Sequence, residues 1–414
     1  MSDNLLHQRG IIEALRTGVP TRDAVTLLGS GQSILDERFR ILLDSTRFGM
    51  PQEVRGFVYF GGFGTGKSHV LEAFATRAIN ENFVVSRVTI SQNLKLGTLS
   101  NVLSELLNNT ETQQHHEDGF ARLIADAIET KTDFLPLIRW TELEITDNRL
   151  APIFGVIANS LRSLRYGSDE FETVLNYLRG MSVFGRLKSL LEARNMQSVP
   201  AAIQRPQCIK FISQLFKTMG YSGWVVLIDE LELIRLTPGK IQKGKSYAEL
   251  ANWMGLDGMR PAEGLAVVGC MTSGYVNELI RWSATGANEL DEIPFAMENS
   301  VSGSHLVSQA TSGMNLLEEC DSDTDLTLKM PNDAALLRVQ NIVKSSYEQC
   351  YRATVNPITV ESGGIEPMRI HIRRWILQWD LQRLMRSEML VNKPVIQNLS
   401  PIESDEIDDA FDDD

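Results

Sequence analysis

Residues 61–68 read GGFGTGKS, and this octapeptide constrains the fold of the chain more than any other feature. It matches the pattern GxxxxGK[ST] of phosphate-binding loops. It lies between a short apolar run, FVYF at residues 57–60, and an amphipathic segment over residues 69–79. A phosphate-binding loop requires this order, because the chain must leave a buried strand, turn sharply and enter a helix. The sequence therefore predicts a strand, a glycine-rich loop and a helix in succession.

Each residue type in this loop suits a nucleotide triphosphate. Glycines allow positive φ angles, so that successive N–H groups point inward, and the following helix adds its positive N-terminal end. Lys67 is predicted to contact the β- and γ-phosphates, and the Ser68 hydroxyl to hold Mg²⁺. The residues expected to bind the nucleotide are Gly61, Gly62, Phe63, Gly64, Thr65, Gly66, Lys67, Ser68 and His69.

A second part of the predicted site follows much later in the chain. Residues 224–228 read WVVLI and are followed by Asp229 and Glu230. This is the form of a Walker B strand, a buried strand that delivers two carboxylates at its carboxyl end. Asp229 is predicted to bind the Mg²⁺ shell through water, and Glu230 to polarise the attacking water, which favours hydrolysis over passive binding. No [NT]KxD guanine-recognition element follows, so the sequence favours ATP.

A third strand is predicted at residues 265–271, LAVVGCM, and it ends at Thr272. In ATPases of the AAA+ type, a polar residue at this place senses the γ-phosphate or orients the water. A hydroxyl at the end of a strand is also a common helix cap, here for residues 275–282. Thr272 is the candidate for a catalytic role, and both interpretations remain open.

A carboxyl-terminal helix is predicted over residues 367–385. Its apolar residues form two stripes, which predicts a helix packed on two sides. The stripes are Ile372, Trp375, Ile376 and Trp379, and Ile370, Leu377, Leu381 and Leu384. Arg369 and Arg373 lie in a gap between the stripes. They are either lid arginines that fold over the nucleotide or part of a solvated strip. Arg281 is a candidate arginine finger for a neighbouring subunit in a homo-oligomer.

Composition is ordinary for a soluble globular protein, with 43% hydrophobic and 22% charged residues. The four cysteines form no C-x-x-C pair, which indicates free thiols and a reducing compartment. The chain has neither a signal-like amino terminus nor an apolar run long enough to span a membrane, so we expect a cytoplasmic protein. Of the net charge of −13, −8 comes from residues 403–414. This acidic tail is expected to be disordered, and it either solubilises the protein or docks on a basic groove.

These elements predict an α/β fold with the parallel sheet of an AAA+-like P-loop NTPase, a large helical insertion and a C-terminal helical lid. No strand is expected between residues 98 and 219, a loop or mobile insertion is expected over residues 283–327, and residues 326–330 are a further candidate strand. Residues 28–31 either contact adenine or form a turn between helices. The predicted parts are an N-terminal helical segment (1–50), the ATPase core (51–97 and 220–332), the helical insertion (98–219), the lid (333–398) and the acidic tail (399–414).

The order of several stretches resembles one protein family. These are LRTGVP, GGFGTGKS, WVVLIDELELIRL, SYAELANWMG and WILQWDLQRL. Together they resemble the ATP-binding proteins of bacterial BREX phage-defence systems, the BrxC and BrxD group, over roughly residues 10–386. The chain length is similar to that of the short members with a single ATPase. The resemblance implies a DNA-linked ATPase that acts with defence partners such as helicases and a methyltransferase.

Two classes of function fit these features. In the first, hydrolysis drives movement on DNA or the assembly and remodelling of a DNA-associated complex. In the second, the protein is a slow switch whose nucleotide state gates partner binding without stimulation by DNA. A transposition-helper ATPase that assembles on DNA is a further alternative. DNA-stimulated turnover with a steep salt dependence distinguishes the first class from the second.

Overall fold

The computed structural model of the chain describes residues 2–50, 54–115, 119–181, 201–256, 263–281, 288–299, 304–359 and 366–385. The acidic tail lies outside the described residues, as do parts of the predicted insertion, loop and lid. All four cysteines are free and buried, as the sequence predicts.

A five-stranded sheet forms the centre of the described part of the chain. Its strands are β1 (Gly56–Gly61), β2 (Val84–Thr89), β3 (Thr110–Glu111), β4 (Trp224–Asp229) and β5 (Leu265–Thr272). The order is β1-β5-β4-β2-β3, and all neighbours are parallel except β2 and β3. The α/β prediction is therefore confirmed, with a mixed rather than purely parallel sheet. The two-residue strand β3 corrects the expectation that residues 98–219 contain no strand.

Three of the four parallel strands, β1, β4 and β5, are almost continuous apolar runs because helices cover both faces of the sheet. Residues 57–60 of β1 and 224–228 of β4 are buried throughout. In the register of the sheet, Gly61 lies opposite Thr272, and Thr89 lies opposite Asp229. The carboxyl ends of β1, β4 and β5 therefore meet at one edge. This edge carries the candidate site.

Helices precede, connect and follow the strands. The first four are α1 (Ser2–Thr17), α2 (Arg22–Leu28), α3 (Ser33–Phe48) and α4 (Lys67–Asn80). Those between β2 and β4 are α5 (Leu99–Asn108), α6 (Gly119–Glu129), α7 (Leu135–Thr146), α8 (Ile153–Ser160), α9 (Asp169–Leu178) and α10 (Ala201–Thr218). The described residues of this region are mostly helical, as expected for residues 98–219. Their status as an inserted domain remains a prediction.

The region after β4 contains more helix than the sequence analysis predicts. A 3₁₀-helix (Leu231–Leu236) and α11 (Lys240–Met254) precede β5, and a short π-helix (Val276–Arg281) follows it. The predicted loop at residues 283–327 is wrong, since α12 (Glu289–Glu298) and α13 (Ser304–Ser322) lie within it. Gly313 explains how α13 fits, because a Cβ atom there would lie 2.1 Å from the Tyr247 carbonyl oxygen of α11. The predicted strand at residues 326–330 is reduced to one bridge, between Phe60 and Thr327.

A second, smaller hydrophobic cluster joins the two ends of the described chain. It brings α1 and α2 together with α14 (Asp333–Tyr351) and α15 (Met368–Met385), around Trp375 and Trp379. The first predicted stripe of α15 is buried there. The second stripe is exposed, up to 69% at Leu384, so the prediction of packing on two sides is wrong for the part of the chain that the structure describes. None of the described helices combines the length and apolar character needed to cross a membrane.

Candidate nucleotide-binding site

The glycine-rich loop, residues 61–68, joins β1 directly to α4. Gly64 and Gly66 have φ angles of 76° and 105°. Residues with a Cβ atom rarely adopt positive φ angles. The Thr65 hydroxyl donates to the Gly62 carbonyl oxygen at 2.8 Å and so closes the turn. α4 begins at Lys67 without a side-chain cap, so its first N–H groups have no partner within the helix. The loop therefore has the backbone that an anion site requires.

The Lys67 side chain is buried at this edge of the sheet. Its ammonium donates to the Thr272 hydroxyl oxygen at 2.9 Å and to the Gly61 carbonyl oxygen at 3.3 Å. The Tyr59 hydroxyl donates to the Lys67 carbonyl oxygen at 2.6 Å and fixes the first turn of α4 against β1. Burial raises the pKa of Tyr59 well above its usual value, so this hydroxyl keeps its proton.

Ser68 and Asp229 meet at the same edge. The Ser68 hydroxyl donates to Asp229 Oδ2 at 2.9 Å. The other carboxylate oxygen, Oδ1, accepts from the Glu230 N–H at 2.9 Å and from the Cys270 thiol at 2.8 Å. Burial raises the pKa of the Cys270 thiol well above its usual value, so the thiol is a donor. Asp229 is thus oriented by two donors and presents Oδ2 to Ser68.

The Ser68 and Asp229 oxygens are ligands of the kind that Mg²⁺ prefers, and their proximity fits a shared ion. The described residues contain no cluster of three or more His, Cys, Asp or Glu side chains that could hold a metal on their own. Magnesium in nucleotide sites is commonly held by one or two protein oxygens together with phosphate oxygens. The arrangement fits that mode.

Glu230 follows β4 with a φ angle of 61°, a left-handed conformation that is unusual for a residue other than glycine. Such backbone strain occurs preferentially at functional sites. Burial raises the pKa of the Glu230 carboxyl above its usual value, and the negative charges of Glu232 and Asp229 add to the effect. The opposing charge of Lys67 lowers this pKa. The site therefore gathers three carboxyl groups around one ammonium.

Glu232 is the member of the site that the sequence analysis missed. It is buried in the 3₁₀-helix after β4, and it accepts hydrogen bonds from both the N–H (3.2 Å) and the hydroxyl of Thr272. Its Oε1 lies 3.9 Å from the Lys67 ammonium. The only signal in the sequence is a second glutamate two positions after Glu230, and this pattern alone does not separate a buried side chain from a solvated one.

The candidate lid arginines lie in different places. The Arg369 guanidinium lies against the glycine-rich loop, 3.0 Å from the position that a Cβ atom of Gly64 would occupy, and it stacks over the Phe63 ring at 5.6 Å. Arg373 instead bonds the end of α1, where it donates to the carbonyl oxygens of Arg16 (3.1 Å) and Thr17.

The candidate finger, Arg281, is engaged within its own chain. Its guanidinium pairs with Glu318 at 2.7 Å and donates to Asn277 at 2.9 Å. The geometry therefore places Arg369, rather than Arg281 or Arg373, against the loop.

His69 connects the loop to the amino-terminal helices. Its Nε2 lies 2.8 Å from the Gly29 carbonyl oxygen. Burial lowers the pKa of His69, so the ring is neutral near pH 7, and Nε2 is the nitrogen that carries the proton toward this oxygen. This bond fixes residues 28–31 beside the start of α4, next to the loop.

Taken together, the sheet, the loop at the end of β1 and the carboxylate at the end of β4 define an α/β protein with a site suited to a nucleotide. Residues 6–133 match the family model described as BREX system ATP-binding protein BrxC/D. The matched stretch is less than a third of the chain and includes the glycine-rich loop, and the resemblance inferred from the sequence is confirmed there. That description supports an ATP-binding role in a defence system. No curated protein and no solved structure matches the chain.

Proposed function

We propose that the protein is an AAA+-like P-loop ATPase that binds ATP with Mg²⁺ at the glycine-rich loop and hydrolyses it in BREX-type phage defence. The observation that carries this proposal is the pair of contacts that joins Ser68 to Asp229 and Lys67 to Thr272, each at 2.9 Å. These contacts unite segments 161 and 205 positions apart. Asp229 and Thr272 lie beyond the residues that match the family model, so their roles rest on this geometry.

In the proposed reaction, the loop N–H groups and the Lys67 ammonium bind the β- and γ-phosphates. Ser68 and Asp229 hold the Mg²⁺ ion, which supplies positive charge to the phosphate oxygens when it is bound. Catalysis of phosphoryl transfer consists mainly of such positioning and charge stabilisation.

Glu230 is the proposed acceptor of the water proton. The water oxygen forms a bond to the γ-phosphorus, the bond from this phosphorus to the β–γ bridging oxygen breaks, and its electron pair leaves with ADP. A carboxyl group whose pKa is raised is a stronger base than an ordinary glutamate, which suits this task. Thr272 is the proposed polar residue that senses the γ-phosphate or orients the attacking water.

Arg369 is the proposed lid arginine, because its guanidinium already lies on the loop and can pair with phosphate oxygens. Residues 28–31, fixed by His69, are the proposed contact of the adenine. Arg281 can act as a finger in a homo-oligomer only if it exchanges its contact with Glu318 for a neighbour's nucleotide.

Hydrolysis is proposed to drive the assembly or remodelling of a DNA-associated complex in the cytoplasm, with a helicase and a methyltransferase as candidate partners. The division into an ATPase core, a helical insertion between β2 and β4, a carboxyl-terminal lid and an acidic tail belongs to the same proposal. The insertion is the proposed partner surface, because it exceeds the dozen or so residues that a simple crossover needs.

The purified protein tests both parts of this proposal. Calorimetry with ATP and Mg²⁺ measures binding, and phosphate release measures turnover, each for the wild type and for Lys67→Ala. We expect submillimolar ATP binding that Lys67→Ala abolishes. Turnover that rises with double-stranded DNA and falls steeply with salt supports the DNA-coupled role. Turnover indifferent to DNA, with ATP-dependent binding of a partner, supports the switch instead, and absence of ATP binding to the wild type refutes the proposal.

A further inference from the structure

Glu232 makes contacts that define the direction of the Thr272 hydroxyl group. One carboxylate oxygen accepts from the Thr272 backbone N–H at 3.2 Å, and the other accepts from its hydroxyl. The Glu232 carboxylate therefore accepts two hydrogen bonds from the same residue, Thr272. A buried carboxylate with two donors is held firmly, because either donor would otherwise lose its partner.

A hydroxyl group has one proton and two lone pairs. Since Thr272 donates its proton to Glu232, only lone pairs remain for the site, and the Lys67 ammonium donates to one of them at 2.9 Å. In this arrangement Thr272 has no proton left for a phosphate oxygen. It can accept a hydrogen bond from an ammonium or from a water molecule.

We propose that Glu232 is a positioning residue that keeps Thr272 an acceptor, so that Thr272 orients the attacking water and does not sense the γ-phosphate as a donor. This inference rests on the proposed ATP hydrolysis. When ATP binds, the Lys67 ammonium breaks its hydrogen bond with Thr272 and its ion pair with Glu232, and it contacts phosphate oxygens instead. The lone pair that Lys67 leaves then accepts a hydrogen bond from the water, whose other O–H group points toward Glu230.

The substitution Glu232→Gln separates this role from simple packing. A carboxylate accepts from both Thr272 donors, but an amide of the same shape has only one accepting atom. If the amide oxygen accepts a hydrogen bond from the Thr272 N–H, the amide NH₂ group donates to the Thr272 hydroxyl oxygen. The proton of that hydroxyl must then point into the site. The substitution also removes the negative charge 3.9 Å from Lys67, which competes with phosphate for the ammonium.

We expect Glu232→Gln to lower kcat at least about tenfold, while the Kd for ATP stays equal or becomes smaller. Glu142→Gln, an exposed glutamate on α7, is the matched control and should match the wild type in both constants. A Glu232→Gln protein with wild-type kcat overturns the inference. So does a loss of kcat accompanied by a proportional rise in the Kd for ATP.

Thr272→Val and Thr272→Ser test the direction of the hydrogen bond, whether or not Glu232→Gln folds. An acceptor role predicts that Thr272→Val lowers kcat but leaves the ratio of ATP to ADP affinity unchanged, and that Thr272→Ser restores kcat to within about threefold of the wild type. A donor to the γ-phosphate would instead lose ATP affinity selectively, and this result refutes the inference. Wild-type protein without any turnover would count against the proposed hydrolysis, whereas normal turnover in Glu232→Gln counts against Glu232 alone.

Discussion

The Ser68 hydroxyl lies 2.9 Å from Asp229 Oδ2, although 161 positions separate the two residues. The contact arises because Ser68 lies in the first turn of α4, which follows β1, while Asp229 ends β4, and β5 lies between these two strands. Parallel strands bring their carboxyl ends to one edge, so residues far apart in the chain become neighbours there. A hydroxyl and a carboxylate held together in this way form the proposed Mg²⁺ site.

Asp229→Asn is expected to weaken Mg²⁺ binding and to lower kcat about a hundredfold or more, because it removes the negative charge nearest the ion while keeping the shape of the side chain. ATPase rates measured across a Mg²⁺ titration check this, and the half-saturating Mg²⁺ concentration should rise. Asp133→Asn, an exposed residue before α7, provides the control. A wild-type Mg²⁺ titration in Asp229→Asn would exclude this residue from the ion site.

Cys270 is expected to support Asp229 as a hydrogen-bond donor. Its thiol and the Glu230 N–H both bond Oδ1, so Cys270→Ala leaves this oxygen with a single donor, whereas Cys270→Ser keeps two. We expect Cys270→Ala to lower kcat several-fold, roughly the effect of one lost hydrogen bond to a charged group, and to raise the Mg²⁺ requirement. Cys270→Ser should remain near the wild type. Equal kinetics in the alanine and serine variants would show that the thiol acts only through packing.

Arg369 and Arg373 should give opposite results when each is replaced by alanine. Arg369 lies on the glycine-rich loop, so Arg369→Ala is expected to raise the KM for ATP about three- to tenfold with little change in thermal stability. Arg373 bonds two carbonyl oxygens at the end of α1, so Arg373→Ala is expected to lower the unfolding midpoint by about 1–3 °C and leave KM unchanged.

Each arginine variant is the control for the other. ATPase kinetics and a thermal scan on the same preparations separate binding from stability. A raised KM in Arg373→Ala without a lower midpoint would reverse the assignment of the two side chains.

Much of the sheet could be predicted because its strands carry their signal locally. The apolar runs of β1, β4 and β5 and the glycines of the loop identify themselves without reference to the rest of the fold. The strand β3 could not be predicted, because it consists of only Thr110 and Glu111. Two residues are too few to show the alternation of apolar and polar side chains that identifies a strand, and only their pairing with β2 makes them one. The many polar residues of α13 led to the prediction of a loop, although its apolar residues recur at helical spacing. Ala310, Met314 and Leu317 are buried at this spacing.

The placement of the site was only partly predictable. Local motifs identified Lys67, Ser68, Asp229 and Glu230 as candidates. They could not reveal that Glu232 turns inward to Thr272, because this depends on how the 3₁₀-helix packs against β5. For the same reason the two arginines, four positions apart on α15, could not be distinguished before the contacts of that helix with the loop and with α1 were known.

Glu249 is expected to make the free energy of unfolding depend on pH. It lies in α11, where burial raises the pKa of its carboxyl from 4.5 to about 7, against the opposing effects of Asn252 and Arg205. Its Oε2 atom is buried without a hydrogen-bond partner among the residues that the structure describes. Because the folded state binds this proton more tightly than the unfolded state, the contribution of Glu249 to stability is full below pH 4.5 and declines as the pH rises through about 7.

Glu249→Gln removes this decline, because the amide is neutral at every pH. The variant should therefore match the wild type near pH 4.5 and exceed it above pH 7, by on the order of 2–3 kcal/mol in the free energy of unfolding. Unfolding of both proteins at pH 5, 6, 7 and 8 measures the difference, in which the contributions of the other groups cancel. Glu142→Gln, which replaces an exposed glutamate, should show no trend with pH. A Glu249→Gln protein that is less stable than the wild type at pH 8 would mean that the fold stabilises the ionised carboxylate, through Arg205, and that the pKa of Glu249 is not raised.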